Sequence, residues 1–227
     1  MTETSLDTFR SILRLIWIPA IISLGVTLLR LTGELRHWSE RWFSHETGGT
    51  DPHGMSWLIG ITWLAVPFGV YFALRLARAG LGPRSAGRVA LFGIPGLALI
   101  FCSRFLFVIF PGRFPEILIP LWLCWVAAAA LQYFGWPSLF RVLLAYGLAA
   151  RIPVAVVMFF AMLGNWGTHY DYVGMPPQFS MPLVPKYLWL AFFPQLVAWV
   201  AFTIVVGSLA GAVALAIVRP RAIAARA

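Results

Sequence analysis

The sequence predicts an all-α polytopic membrane bundle of about six transmembrane helices, with both termini on the cytoplasmic side. Three observations carry that prediction: the composition, the length of the apolar runs and the distribution of arginine. Hydrophobic residues make up 60% of the 227 residues and charged residues 11%, and the mean hydropathy is +0.83. So little polar surface cannot coat a soluble globule, whereas a lipid-facing belt removes the need. No linker rich in Ser, Gly or charge interrupts the chain, so residues 1–227 are expected to form a single integral membrane domain.

A helix needs about 20 apolar residues to cross the hydrocarbon core, and such runs lie near residues 12–33, 55–77, 89–110, 117–135, 142–163 and 187–218. Uninterrupted runs lack the alternation of a lipid-exposed barrel strand, and a helix satisfies every backbone N–H and C=O within its own segment. The first run has full spanning length, carries Arg30 near its far end and lacks a small-residue cleavage site, so it reads as a retained helix and not a signal peptide. Ile-Pro pairs at Ile18-Pro19, Ile94-Pro95 and Ile152-Pro153 mark kinks in the first, third and fifth runs. The sixth run exceeds a perpendicular crossing; it is expected to tilt, to break at Pro194 or to continue through it. Gly207 and Gly211 within it form a GxxxG pair, suited to close helix packing inside the chain or to a homodimer contact.

Orientation follows from the arginines. Arg10, Arg14, Arg75, Arg78, Arg84, Arg88, Arg141, Arg219, Arg221 and Arg226 fall on one side, which becomes cytoplasmic. The other side holds all the histidines and most of the acids, including Glu34, Glu40, Glu46, Asp51, Glu116 and Asp171. Arg and Ala are abundant and Lys186 is the only lysine, as a GC-rich bacterial source would give, so a bacterial cytoplasmic membrane is the expected location. The lipid bilayer is the first expected partner, with a membrane-protein partner subunit the second. The arginines are scattered between apolar runs and form no basic stripe, which argues against nucleic acid.

Ionisable groups inside spans are costly and usually face a bundle interior or a wet cavity. Arg151 falls near the middle of the fifth run and Arg104 about two turns from the outer end of the third. Together with Asn165 they make the candidate intramembrane polar site, and guanidinium groups without matching acids suit an anion or lipid phosphate. Arg30 and Glu34, four residues apart, are expected to form an ion pair at the outer face. His169 and Asp171, in the polar loop after the fifth run, are the catalytic candidates, as a base and its partner. His45, Asp51, His53 and His169 are the candidates for a divalent metal, but their spacing matches no metal motif, and no cofactor is expected. No run contains histidine or lysine, which disfavours bis-His haem and a retinal Schiff base; a P-loop and a G-x-S-x-G elbow are both missing.

Three function classes remain, in this order. The first is a non-enzymatic membrane module, either a complex subunit or a helper protein. The second is a small transporter or channel for an anionic or amphipathic solute. The third is a membrane-embedded enzyme with an outer-face His/Asp site.

Overall fold

A computed structural model describes residues 3–45, 54–172 and 181–224, with side chains for 10–45, 54–172 and 181–218. The described residues are helical, with no strand. The helices are α1 (Glu3–Leu35), α2 (Ala65–Arg78), α3 (Ala86–Ser103), α4 (Leu106–Ile109), α5 (Leu118–Gly135), α6 (Pro137–Gly164), α7 (Leu183–Tyr187) and α8 (Val200–Ala224). Short 3-10 turns cover Ser56–Ile59, Thr62–Leu64 and His169–Asp171, and π-helical turns cover Leu188–Phe192 and Pro194–Trp199.

Five helical stretches are long and apolar enough to cross a membrane: Arg10–Leu35, Ala86–Ile109, Leu118–Gly135, Pro137–Gly164 and Leu183–Val218. That is compatible with a multi-pass membrane protein. Large apolar side chains such as Trp17, Ile21, Leu91, Ile94 and Val108 stand on the outside of the bundle, each more than half exposed, as lipid-facing residues would.

The second expected span does not fold as one helix. Residues 55–77 become two 3-10 turns followed by α2, which has 14 residues. Gly60 weakens any helix before it. Pro67 sits in the first turn of α2, where its missing N–H has no intrahelical partner to lose, so the α-helix starts at Ala65. The third span also differs: α3 ends at Ser103, and Arg104 and Phe105 form a turn before α4. The last span is continuous through Pro194. Pro194 has no N–H to donate along an α-helix, and the backbone there widens into π turns instead of breaking.

Contacts define two ends of the bundle. At one, Arg14 of α1, Arg78 of α2 and Arg141 of α6 line a common groove. At the other, Arg30 of α1, the 3-10 turns 56–64 and His169 line a common cavity. These are called the arginine end and the histidine end below. Helices α6 and α8 form the interior. In the most apolar 18-residue window within Leu183–Val218, 61% of the residues are buried, against 22% for the corresponding window of Arg10–Leu35, so α1 lies at the periphery.

Helices α2 and α8 approach through glycine. A Cβ on Gly69 of α2 would stand 2.5 Å from the Cα of Gly207 on α8, and one on Gly211 would stand 2.7 Å from the Cβ of Ala73. The GxxxG pair is thus buried inside the chain against α2. Small residues are what allow such approach where lipid supplies no hydrophobic drive between helices. On the far side of α8, Gln132 ties α5 to α3 by donating to the Phe92 carbonyl at 3.1 Å.

Gly69→Leu is therefore expected to lower the unfolding midpoint in detergent by the equivalent of about 1–3 kcal/mol. Gly25→Ala, at a position with nothing within 4 Å, is expected to leave it unchanged or raise it. A Gly69→Leu protein as stable as the unsubstituted one would contradict this packing.

Candidate functional site

The site begins with a buried carboxylate. Arg30 and Glu34 lie one helical turn apart at the end of α1, and the Glu34 side chain has no exposed surface. An unpaired carboxylate so placed would be strongly disfavoured, and each oxygen is occupied. Oε1 accepts from Arg30 Nε at 2.9 Å and from His169 Nδ1 at 2.5 Å, and Oε2 accepts the His169 backbone N–H at 2.9 Å. The Glu34 carbonyl oxygen lies 3.2 Å from His45 Nε2. The expected Arg30–Glu34 contact is present, but in a buried setting and with a third member contributed from far along the chain.

His169 is held by a turn that its neighbours build. Asp171 Oδ1 accepts from the Thr168 N–H at 2.7 Å and the Thr168 hydroxyl at 3.0 Å, and Oδ2 accepts from the Gly167 N–H at 3.0 Å. Lys186 Nζ donates to the Asp171 carbonyl at 2.8 Å. Asp171 is thereby committed to capping the His169–Asp171 turn, and the carboxylate that meets the His169 ring is Glu34. Asn165 is exposed and ends α6 in a left-handed conformation with φ of 46°, so it caps the helix and does not meet Arg151. Tyr172 closes the 3-10 turn at φ of 55°, an unusual conformation for a bulky residue.

Burial disfavours the His169 imidazolium, with the charges of Arg30 and His45 acting in the same direction, and although Glu34 opposes them the pKa lies below its ordinary value. The neutral ring then donates from Nδ1 to Glu34, which leaves Nε2 as an acceptor with no partner among the described residues. Burial raises the Tyr172 hydroxyl to about 12 and that of Tyr170 further, so both stay protonated. The Tyr170 hydroxyl donates to the Thr27 carbonyl at 3.2 Å.

Arg151 lies deeper. It is 4% exposed on the interior face of α6. Nη1 donates to Gln195 Oε1 at 3.2 Å, Nη2 donates to Thr62 Oγ1 at 3.1 Å, and Cζ stands 5.0 Å from the centroid of the Trp199 ring. Each partner sits on irregular backbone: Thr62 opens a 3-10 turn, and Gln195 and Trp199 lie on the second π turn. Among the described residues no carboxylate pairs with Arg151.

These groups share one cavity of about 390 Å³. Arg30 and His169 line it at the end of the bundle, Arg151 and Gln195 line it in depth, and Trp57, Trp199 and Met158 supply apolar wall. Below Arg151 the bundle is closed by aromatic rings. Tyr146 packs on Phe68 and Phe72 with ring centroids 5.3 and 5.4 Å apart, and its hydroxyl hydrogen-bonds Ser23 of α1 at 2.8 Å.

Arg104 is not part of this arrangement. It is exposed at the turn that ends α3 and lines neither the cavity nor the groove. Among the metal candidates, Asp51 and His53 lie outside the described residues, and among the described residues no group of three or more His, Cys, Asp or Glu converges. Gln195, Thr62 and Trp199 were not singled out from sequence. Gln195 carried a usable signal, as an amide next to Pro194 within an otherwise apolar run.

Because His169 binds a proton less readily in the folded chain than at its usual pKa of about 6.5, the unfolded state takes up the extra proton as pH falls below that value. Stability should be full above it and decline on acidification. The unfolding midpoint is expected to drop between about pH 7.5 and about pH 5.5, and to drop less in His169→Gln. An equal decline in both proteins would remove His169 as the cause.

Comparison with models of known protein families, with curated proteins and with solved structures finds no match to this chain.

Proposed function

We propose that this chain is a small multi-pass membrane transporter that binds an organic anion in a cavity open at the outer face of a bacterial cytoplasmic membrane. The observation that carries the reading is Arg151: a guanidinium buried at mid-helix, bonded among the described residues to neutral partners and lining a cavity of about 390 Å³. In that setting the charge has no counterion among the described residues, and a carboxylate or phosphate entering from the histidine end would supply one through charge-assisted hydrogen bonds. Arg30 brings a second guanidinium to the same cavity, its charge already balanced by Glu34. A subunit that served only to pack against partners would need neither the cavity nor the unbalanced charge, which moves this reading ahead of the non-enzymatic module.

The topology in this proposal has about six crossings with both termini inside. Residues 56–78 reach from the histidine-end cavity to the arginine-end groove. Fourteen α-helical residues and two 3-10 turns of four and three residues extend about 35 Å, enough for a core of about 30 Å. The irregular part lines the cavity, which is where a membrane tolerates non-α backbone. The arginine cluster at the other end then faces the cytoplasm.

A second reading rests on the Glu34–His169 pair. A neutral imidazole oriented by a carboxylate is a general-base arrangement, and would make the site that of an enzyme acting on the bound anion. It requires turnover of that anion, lost in His169→Gln.

Benzoate and phenyl phosphate are suitable probes, with uncharged benzamide as the control. The anions are expected to raise the unfolding midpoint and benzamide is not. Arg151→Gln should weaken anion binding by at least ~10-fold, as loss of a charge-assisted hydrogen bond implies, while Arg104→Gln should bind as the unsubstituted protein does. Flux of the stabilising anion into proteoliposomes should follow the same pattern. Anion binding unchanged in Arg151→Gln, or no preference for the anions over benzamide, would overturn the reading.

A further inference from the structure

The arginine end holds a second and larger space, unconnected with the reading above. A groove of about 830 Å³ lies between the start of α1, the end of α2 and the start of α6. Four guanidinium groups surround it, from Arg14, Arg75, Arg78 and Arg141, with Ser11 and Ser138 beside them, while Leu15, Leu76 and Val142 give its wall an apolar character. All four arginines are exposed, and among the described residues none has an acid partner. Arg141 alone has a ring neighbour, with Cζ 6.0 Å from the Tyr133 centroid.

Scattered basic residues would suffice to orient the chain. Here they converge from three helices on one groove, and among the described residues no acid stands between the four positive charges to offset their repulsion. The occupant must therefore be anionic. It must also be amphipathic, because the groove walls are apolar and the neighbouring faces of α1 carry exposed Leu13, Trp17 and Ile18.

We infer that this groove binds the headgroup of an acidic phospholipid, whose phosphodiester charge is not balanced by an ammonium group. The phosphate accepts hydrogen bonds from Arg14 and Arg141 on facing helices, Arg75 and Arg78 add field at the rim, and the acyl chains follow the apolar wall along α1. Bound in this way the lipid joins peripheral α1 to α2 and α6 at the arginine end, as Glu34 joins α1 to the 169–171 turn at the other.

The test uses the full chain in phosphatidylcholine nanodiscs doped with phosphatidylglycerol, read by native mass spectrometry and by the unfolding midpoint. The unsubstituted protein is expected to retain phosphatidylglycerol in preference to phosphatidylcholine and to be stabilised by it. The double variant Arg14→Gln/Arg141→Gln should lose at least ~10-fold in retention. Arg84→Gln/Arg104→Gln removes two arginines outside the groove and should retain the lipid fully. If the first variant does not fold, Arg75→Gln/Arg78→Gln makes the same comparison from the other helix. Equal retention in groove and non-groove variants would show general surface charge and overturn the inference. Displacement of the lipid by millimolar inorganic phosphate would assign the groove to a free anion and overturn it as well.

Discussion

The architecture turns on one charge, the guanidinium of Arg151 in the middle of α6. An arginine at the centre of a spanning helix costs about 2.5–3.5 kcal/mol on insertion scales. Its two hydrogen bonds to Thr62 and Gln195 contribute about 0.5–1.5 kcal/mol each, and stacking on Trp199 about 2 kcal/mol when desolvated. The terms nearly balance, and they do so only because two stretches of backbone depart from regular α-helix. The 3-10 turn at Thr62–Leu64 delivers a hydroxyl, and the π turn at Pro194–Trp199 delivers an amide and an indole on consecutive turns. Irregular backbone at membrane depth is tolerated where it lines a cavity, and a cavity is what these departures leave.

Glu34 plays the corresponding part nearer the surface. It neutralises Arg30, orients His169 and receives the His169 backbone N–H, so one carboxylate fixes the relation of α1 to a turn 135 residues away. Strain gathers around it. Among the described residues, the non-glycine positions with positive φ are His37, Asn165 and Tyr172, all at this end of the bundle. Such conformations persist only where their surroundings over-determine them, and the Asp171 and Glu34 networks do so here. The cavity wall is therefore held by bonded turns more than by apolar packing.

What the sequence made legible follows from range. Apolar run length is a local property, and it located the long helices to within a few residues, with Gly207 and Gly211 correctly marked as a site of close approach. Pro67 and Gly60 are local too, but their effect on the second run depends on where helix initiation falls, and an average over the run conceals it. Arg151 stood out because a charge in an apolar run is rare at any range. Its partners did not, since Gln195 lies 44 residues away and meets Arg151 only in the π register. His169 was a visible candidate, while its partner was assigned by proximity to Asp171. The backbone amides of Gly167 and Thr168 claim that carboxylate first, leaving the imidazole to a residue that no local pattern could indicate. Arg104 failed for the opposite reason: the helix it was placed in ends one residue before it.

Between the cavity and the arginine groove stands a barrier whose composition says how it would open. Phe72, Leu139 and Leu143 are fully buried there, and Tyr146 closes the layer by its bond to Ser23. Helices α6 and α8 are poor candidates to separate. Gly147 brings them together so closely that a Cβ on it would stand 3.2 Å from Val200 Cγ1, and close-packed interiors resist continuous deformation. Helix α1 is different, being the more peripheral and contributing to this core Ile16, with Ile12 and Leu15 beside it, and the Ser23 hydroxyl. Moving it aside costs a hydrogen bond worth about 1 kcal/mol and the burial of Ile16, about 1.5–3 kcal/mol, and exposes Tyr146, while the Glu34 bonds keep its other end in place. Of the elements around this layer, α1 is thus the one whose displacement breaks the fewest close contacts, with the Glu34–His169 contact as its fixed point and Arg151 on the side that stays packed.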